Sequence, residues 1–268
     1  VAIESQSQNG SPVNVTGILY RNDLPVGTVR TNSNGVETFK FSPSTLDRYS
    51  FKVRKNNLIT ADTSYSLPPI MAGGVVLHVP NAVVNDSLKL TLYSRVAQTV
   101  QVIIHSDQRA YANFVARATL SGGRVSLSLP AVPKGLATIT VLDLNGRPLA
   151  ERLFFAHHDQ RINAEIKTDK EIYGKNEKVT LQLKLTDKNG SPLQGIVSAA
   201  VVQENRIESA KFADIETHTF LSSKIESIPP DPLGLGIKNS DFLESILLIR
   251  GWRNYTWRKL INSRASDS

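Results

Sequence analysis

No cysteine occurs in the 268 residues. That excludes a disulfide, a thiolate metal site and a cysteine nucleophile. It fits an envelope protein as well as a cytoplasmic one, so it leaves the compartment open. No apolar run approaches the roughly eighteen residues of a transmembrane helix. Catalytic signatures are missing as well. There is no Gly-x-Ser-x-Gly elbow, no His-Glu-x-x-His and no phosphate loop. Gly234-x-Gly236 lacks a third glycine and a clear preceding strand, and reads as loop. The net charge is +7, but the lysines and arginines are spread along the chain. Diffuse charge of this kind favours acidic surfaces weakly and does not diagnose nucleic-acid binding.

What the sequence holds in quantity is short runs of valine, threonine, serine and leucine alternating with polar residues, the mark of half-buried strands. Residues 1–68 carry such runs at Val13–Tyr20, Pro25–Thr31, Val36–Phe41 and Tyr49–Val53. Asn32–Gly35 supplies a turn, and the Val36–Phe41 alternation sets Phe39 and Phe41 on one face. After Pro68-Pro69, strands are expected over Gly73–Val79, Asp86–Ser94, Thr99–Ser106, Tyr111–Leu120 and Gly123–Pro130, the last two joined as a hairpin at Ser121-Gly122. Gly135–Phe155 reads as two strands around Asn145-Gly146, a strong hairpin signal. A third unit opens after His157-His158-Asp159, with a strand leading to Tyr173-Gly174, another ending at Asn189-Gly190, and a third returning. One phrase recurs: NGSPV at 9–13, NGRPL at 145–149 and NGSPL at 189–193. Repetition of one hairpin grammar points to an array of related β-sandwich domains at 1–68, 69–158 and 159–268.

Residues 203–237 are polar, hold Pro229-Pro230 and read as a long loop, either a partner-binding surface or a connector. A helix is expected over about 241–260, with Asp241 as N-cap and Glu244 completing a capping box. Phe242, Leu243, Ile246, Leu247 and Ile249 form its apolar face.

These residues resemble a macroglobulin-type (MG2-like) family. TDKEIYGKNEKVTLQLKLTDKNGSPLQGIVSAAVV carries the Tyr-x-x-x-Glu-x-Val segment, then Asp-x-x-Gly-x-Pro and a Val-rich strand. GLATITVLDLNGRPLAERLFF and TNSNGVETFKFSPSTLDRYSFKV are similar to the two preceding domains in large envelope proteins of Bacteroidetes. LLIRGWRNYTW matches the leucine-rich helix ending in Gly-Trp-Arg. The resemblance covers nearly the whole chain. It implies an all-β fold of tandem macroglobulin/immunoglobulin-like sandwiches with one C-terminal amphipathic helix. The family's opening aromatic-Pro-Glu-Gly-Gly strand and its following carboxypeptidase-regulatory-like domain are absent. The chain is therefore expected to be an internal fragment whose first domain lacks its first strand. Without a Cys-Gly-Glu-Gln thioester, covalent trapping by this fragment is excluded.

The chemistry-bearing residues are few. Adjacent histidines on a strand point to opposite faces, so His157-His158-Asp159 is expected to be a water-exposed interdomain junction rather than a metal site. His78, His105 and His218 are isolated. Glu151-Arg152 reads as structural, one of the two bridging to a neighbouring sheet or domain. The tripeptides at Asn14, Asn85 and Asn254 match the glycosylation pattern by chance. Neither a cofactor nor a metal is expected.

Both tryptophans lie in IRGWRNYTWR at 249–258. Basic and aromatic residues interleaved this way can grip nucleic acid, stack on a sugar or close a core. Trp252 and Tyr255 share a helical face, which favours packing, with the arginines along the rim. Arg253, Trp257, Arg258 and Lys259 remain as candidate partner-binding residues, Trp257 lying off that face. The expected function is a non-catalytic structural and interaction module of a bacterial cell-envelope protein, in the periplasm or at the outer-membrane surface and peripheral to the membrane. The resemblance implies an outer-membrane or periplasmic protein partner of the TonB-dependent transporter type, and nucleic acid is not expected. The alternative is a carbohydrate-binding or adhesin-like β-sandwich. A glycosidase is a third reading, requiring two carboxylates about 5–10 Å apart in a cleft.

Overall fold

A computed structural model describes residues 2–7, 9–39, 41–54, 63–70, 73–106, 109–199, 201, 215–222, 224–225, 228, 231 and 234–250. The fold is all-β and sandwich-type, built from antiparallel sheets.

One turn recurs through the chain. The backbone N–H of Ser7, Asp143 and Asp187 donates to the carbonyl four residues on, at 2.9, 2.8 and 2.9 Å. In each case the glycine N–H returns to the first residue's carbonyl, and Gly10, Gly146 and Gly190 adopt φ of 78°, 79° and 84°. The first side chain completes the turn. Asp143 Oδ1 accepts from the N–H groups of Asn145 and Arg147, and Asp187 Oδ1 does the same for Asn189 and Ser191. Ser7 Oγ takes the place of the carboxylate and accepts from Ser11 N–H. Asn32 makes a fourth copy, its Oδ1 accepting from Asn34 and Val36. The recurring phrase is therefore a side-chain-braced turn closed by a left-handed glycine.

In the first unit, strands β1 (Ala2–Glu4) and β4 (Val36–Thr38) pair with each other. Strands β2 (Thr16–Arg21), β3 (Leu24–Arg30), β5 (Tyr49–Val53) and β6 (Thr63–Ser66) form a sheet in the order β3-β2-β5-β6. The strand expected over Val36–Phe41 is shorter, because its partner β1 offers only three residues. Beyond the ladder, ring packing takes over: Phe41 stacks on Phe39 and meets Tyr49 edge-on. Both phenylalanines still face the same way.

Seven strands make the second unit: β7 (Val76–His78), β8 (Ser87–Tyr93), β9 (Gln98–His105), β10 (Ala110–Ala118), β11 (Gly123–Ser128), β12 (Gly135–Leu142) and β13 (Pro148–Ala156). They form two facing sheets, β10-β9-β12-β13 and β11-β8-β7. Leu88, Leu90 and Leu92 from one meet Val100, Val102, Ile104, Ile139 and Val141 from the other, all buried. The hairpin around Asn145-Gly146 forms as expected. The hairpin expected at Ser121-Gly122 does not. β10 pairs with β9 and β11 with β8, so this turn carries the chain between sheets. The reason lies at Gly123. A Cβ there would stand 1.7 Å from the Arg117 carbonyl oxygen, so the backbones cross in contact instead of running as a ladder.

The third unit contributes β14 (Asn163–Thr168) and β15 (Leu181–Thr186), an antiparallel pair. Among the described residues the return expected after Asn189-Gly190 forms no strand; it is held by the isolated pairing of Pro192 with Thr186 and by Leu193 N–H to the Leu185 carbonyl. Helix α1 (Ile215–Thr217) continues into a π-turn at His218–Ser222, and a 3₁₀ turn at Gly236–Lys238 leads into α2 (Ser240–Ile249). Part of the expected 203–237 loop is packed: Leu221, Ile225 and Ile237 are buried in the second unit's core. Phe242, Leu243, Ile246 and Leu247 of α2 join the same core. The N-cap is Asn239, not Asp241. Asn239 Oδ1 accepts from Phe242 N–H at 3.2 Å. Asp241 sits in the first turn, where its charge suits the helix dipole.

Candidate functional site

Arg253, Trp257, Arg258 and Lys259, with the rest of 251–260 and its expected helical half, lie outside the described residues. Before them stands Arg250, which caps α2 and donates from Nη2 to Glu4 Oε1 at 2.6 Å. Glu4 belongs to β1 of the first unit. The last residue before the glycine-tryptophan motif is therefore tied to the far side of the chain, about three-quarters buried on both partners.

Six residues earlier, Glu244 faces the second unit. Its Oε2 accepts from the N–H groups of Ala82 and Val83 at 2.8 and 3.0 Å. Its Oε1 lies 3.5 Å from Arg152 Nη2, and Arg152 Nη1 donates to the Leu247 carbonyl at 3.0 Å. Ala82 is fully buried, and the segment it belongs to pairs its backbone with Phe155 on the other side. Without the Glu244 carboxylate these two outward N–H groups would lose their acceptor. Burial pushes the Arg152 guanidinium below its ordinary pKa, and Glu244 pulls it back up. The capping box expected for Glu244 thus gives way to a tertiary role. Arg152 makes the bridge expected of the Glu151-Arg152 pair. The local pattern at 241–244 could not reveal this, because Ala82 lies 162 residues away.

The His157-His158-Asp159 junction is not water-exposed as expected. His157 is 7 % exposed, at φ 55°, with Nε2 3.0 Å from the Leu129 carbonyl inside the second unit. His158 turns the other way and places Nε2 2.8 Å from the Ile237 carbonyl, on the approach to α2. Asp159 meets Lys188 of the third unit at 2.5 Å. Three consecutive side chains thus hold three different parts of the molecule. Among the described residues, no group of three His, Asp or Glu side chains could hold a metal ion.

The hydrogen bond from Lys188 holds the Asp159 carboxyl below its ordinary pKa. The stabilisation it supplies is present above about pH 4, the unperturbed aspartate range, and is lost as pH falls through the lowered value. Lys188→Ala is expected to return the Asp159 titration towards the ordinary value, read by carbon NMR of the carboxyl. An unchanged midpoint would remove Lys188 as the cause.

His105 is buried on the outer face of β9, with Nε2 2.9 Å from Thr140 Oγ1. Thr140 donates in turn to Glu151 Oε2 at 3.2 Å. The sequence of imidazole, hydroxyl and carboxylate places the hydroxyl in the middle, at 1 % exposure, where it braces three strands and meets no solvent. In the sequence His105 stands alone, because the hydroxyl it meets, on Thr140, lies 35 residues away.

An open cleft of about 280 Å³ lies in the first unit. Its floor is Leu19, Gly27, Val29 and Tyr49 of the sheet, and its roof is Phe39 and Phe41. Among the described residues Arg21 is the one charged side chain in the lining, and no carboxylate lines it. Nothing in the sequence singled out this cleft beyond the shared face of the two phenylalanines.

Among the described residues no helix is long and apolar enough to cross a membrane. The sequence matches no protein-family model and no curated protein.

Proposed function

We propose that this chain is a structural and interaction module of a bacterial cell-envelope protein, its β-units holding binding surfaces at fixed spacing for an outer-membrane or periplasmic protein partner. The observation that carries this reading is the double attachment of α2. Glu244 joins it to the second unit through Ala82, Val83 and Arg152, and Arg250 joins it to Glu4 of the first. Arg95 adds a further tie by donating to the Pro43 carbonyl at 3.3 Å. A helix wedged between β-units suits a spacer. The macroglobulin-type resemblance supplies the envelope setting and the TonB-dependent transporter type of partner. The positive charge favours acidic partners or anionic lipopolysaccharide.

The lack of native cysteine makes the spacing measurable. Spin labels on Ser64→Cys and Ser126→Cys, both on exposed strand positions, are expected to give one narrow distance distribution. Glu4→Gln should broaden it while costing roughly 1 kcal/mol or less in stability, since the pair is only partly buried. An equally broad distribution in the unmodified chain would sink the spacer reading. Pulldown from envelope extract is expected to recover a membrane or periplasmic protein. Recovery of none, together with saturable glycan-array binding lost in Trp257→Ala, would replace the proposal with the carbohydrate-binding alternative.

A further inference from the structure

The geometry points to a peptide-docking site on the first unit, in which an extended acidic segment of a partner protein adds to the free edge of β3 and seats a bulky apolar side chain beneath the stacked rings of Phe39 and Phe41. This rests on reading the chain as an interaction module and names the chemistry of what it binds.

Three observations meet there. β3 is the terminal strand of its sheet, bonded on one side only among the described residues. Thr31 N–H donates to the Val15 carbonyl, so the antiparallel alternation turns the N–H and C=O of Thr28 and Arg30 away from β2. Those groups are a template for a further strand. The cleft opens beside them. Residues of an added strand that share a face with Gly27 and Val29 point into it, under the phenylalanine roof. A volume of about 280 Å³ accommodates one aromatic or branched side chain with room to spare.

Arg21 sets the charge. It pairs across the ladder with Leu24 and lines the cleft, with no ion-pair partner among the described residues. A carboxylate two residues from the apolar anchor falls on the same face of an added strand and within reach of the guanidinium. The edge itself carries apolar side chains exposed to water, Leu24 at 65 % and Val26 at 46 % exposure. β3 bulges at this point, between its pairings with Leu19 and Tyr20. The bulge twists the edge and limits indiscriminate pairing, which leaves selectivity to the cleft.

The test uses two blocked pentapeptides, acetyl-Thr-Phe-Thr-Asp-Thr-amide and acetyl-Thr-Asp-Thr-Phe-Thr-amide, which cover both strand directions. One of them is expected to bind the full chain saturably, with a dissociation constant on the order of 100 μM, by calorimetry. Replacing its Phe by Ala should abolish binding. Thr28→Pro removes an outward N–H while leaving the β2 ladder intact, and should weaken binding about tenfold. Arg21→Gln, an exposed change, should erase the preference for Asp over Asn in the peptide, about fivefold in the unmodified chain. Circular dichroism verifies the fold of each variant. Equal affinity for the Phe and Ala peptides, or no saturation up to about 10 mM, overturns the site. Such a failure leaves the spacer reading to the spin-label distance, which does not depend on the cleft.

Discussion

Gly123→Ala is expected to destabilise the second sandwich by about 3 kcal/mol or more. The added methyl carbon would lie 1.7 Å from the Arg117 carbonyl oxygen and 2.9 Å from its carbon. Both are backbone atoms of β10, so no side chain can swing aside. Relief requires the two sheets to part where the chain crosses between them, and the neighbouring Ala118 is completely buried. Urea unfolding followed by circular dichroism reads the loss as a lower midpoint. Gly73→Ala is the control, because nothing lies within 4 Å of its added carbon. A midpoint for Gly123→Ala equal to that of the control would mean that the crossing does not run as described.

Glu244→Ala is expected to cost about 3 kcal/mol by a different route. The Ala82 and Val83 N–H groups lose their acceptor, and Arg152 loses its counter-charge in a site where burial already lowers its pKa. Glu244→Gln keeps one oxygen for the two amides and should cost less than half as much. Adding Arg152→Ala to Glu244→Ala should cost less than the sum of the two single changes, because the stranded cation goes with its partner. Hydrogen exchange at Ala82 and Val83 provides the site-specific reading. Fast exchange is expected in the alanine variant and intermediate exchange in the glutamine variant. Protection that survives in Glu244→Ala would show that other acceptors hold these amides.

Both predictions fall on residues whose importance was not visible locally. Gly123 sits beside Ser121-Gly122, and in sequence the pair looks like any hairpin turn between two alternating runs. Only the pairing partners of those runs, β9 and β8, show that the turn changes sheets. Glu244 looked like a capping residue because it follows Asp241 at the right spacing. The cap moved to Asn239, whose Nδ2 is held in turn by Asp231 at 3.0 Å. That freed Glu244 to satisfy a distant strand. The histidine junction failed for a related reason. His157 and His158 face opposite ways through the left-handed backbone at His157, just past the end of β13, and strand alternation carries no information on what covers each side. Here it is the carbonyls of Leu129 and Ile237.

The all-β character, the strands of the second unit and the recurring turn were legible in sequence. They depend on contacts between near neighbours: period-two burial, Asn-Gly at a left-handed position, and an aspartate reaching two and four residues ahead. The apolar face of α2 was legible on the same grounds. Where that face docks was decided by tertiary structure. It fills the core of the sandwich at 69–158 although it follows β14 and β15 in the chain. Docking is settled by which surface offers matching shape and unsatisfied backbone groups, and distance along the chain does not enter. The same holds for the cleft under Phe39 and Phe41. Alternation put the two rings on one side, and only the short β1–β4 pairing left the space beneath them open.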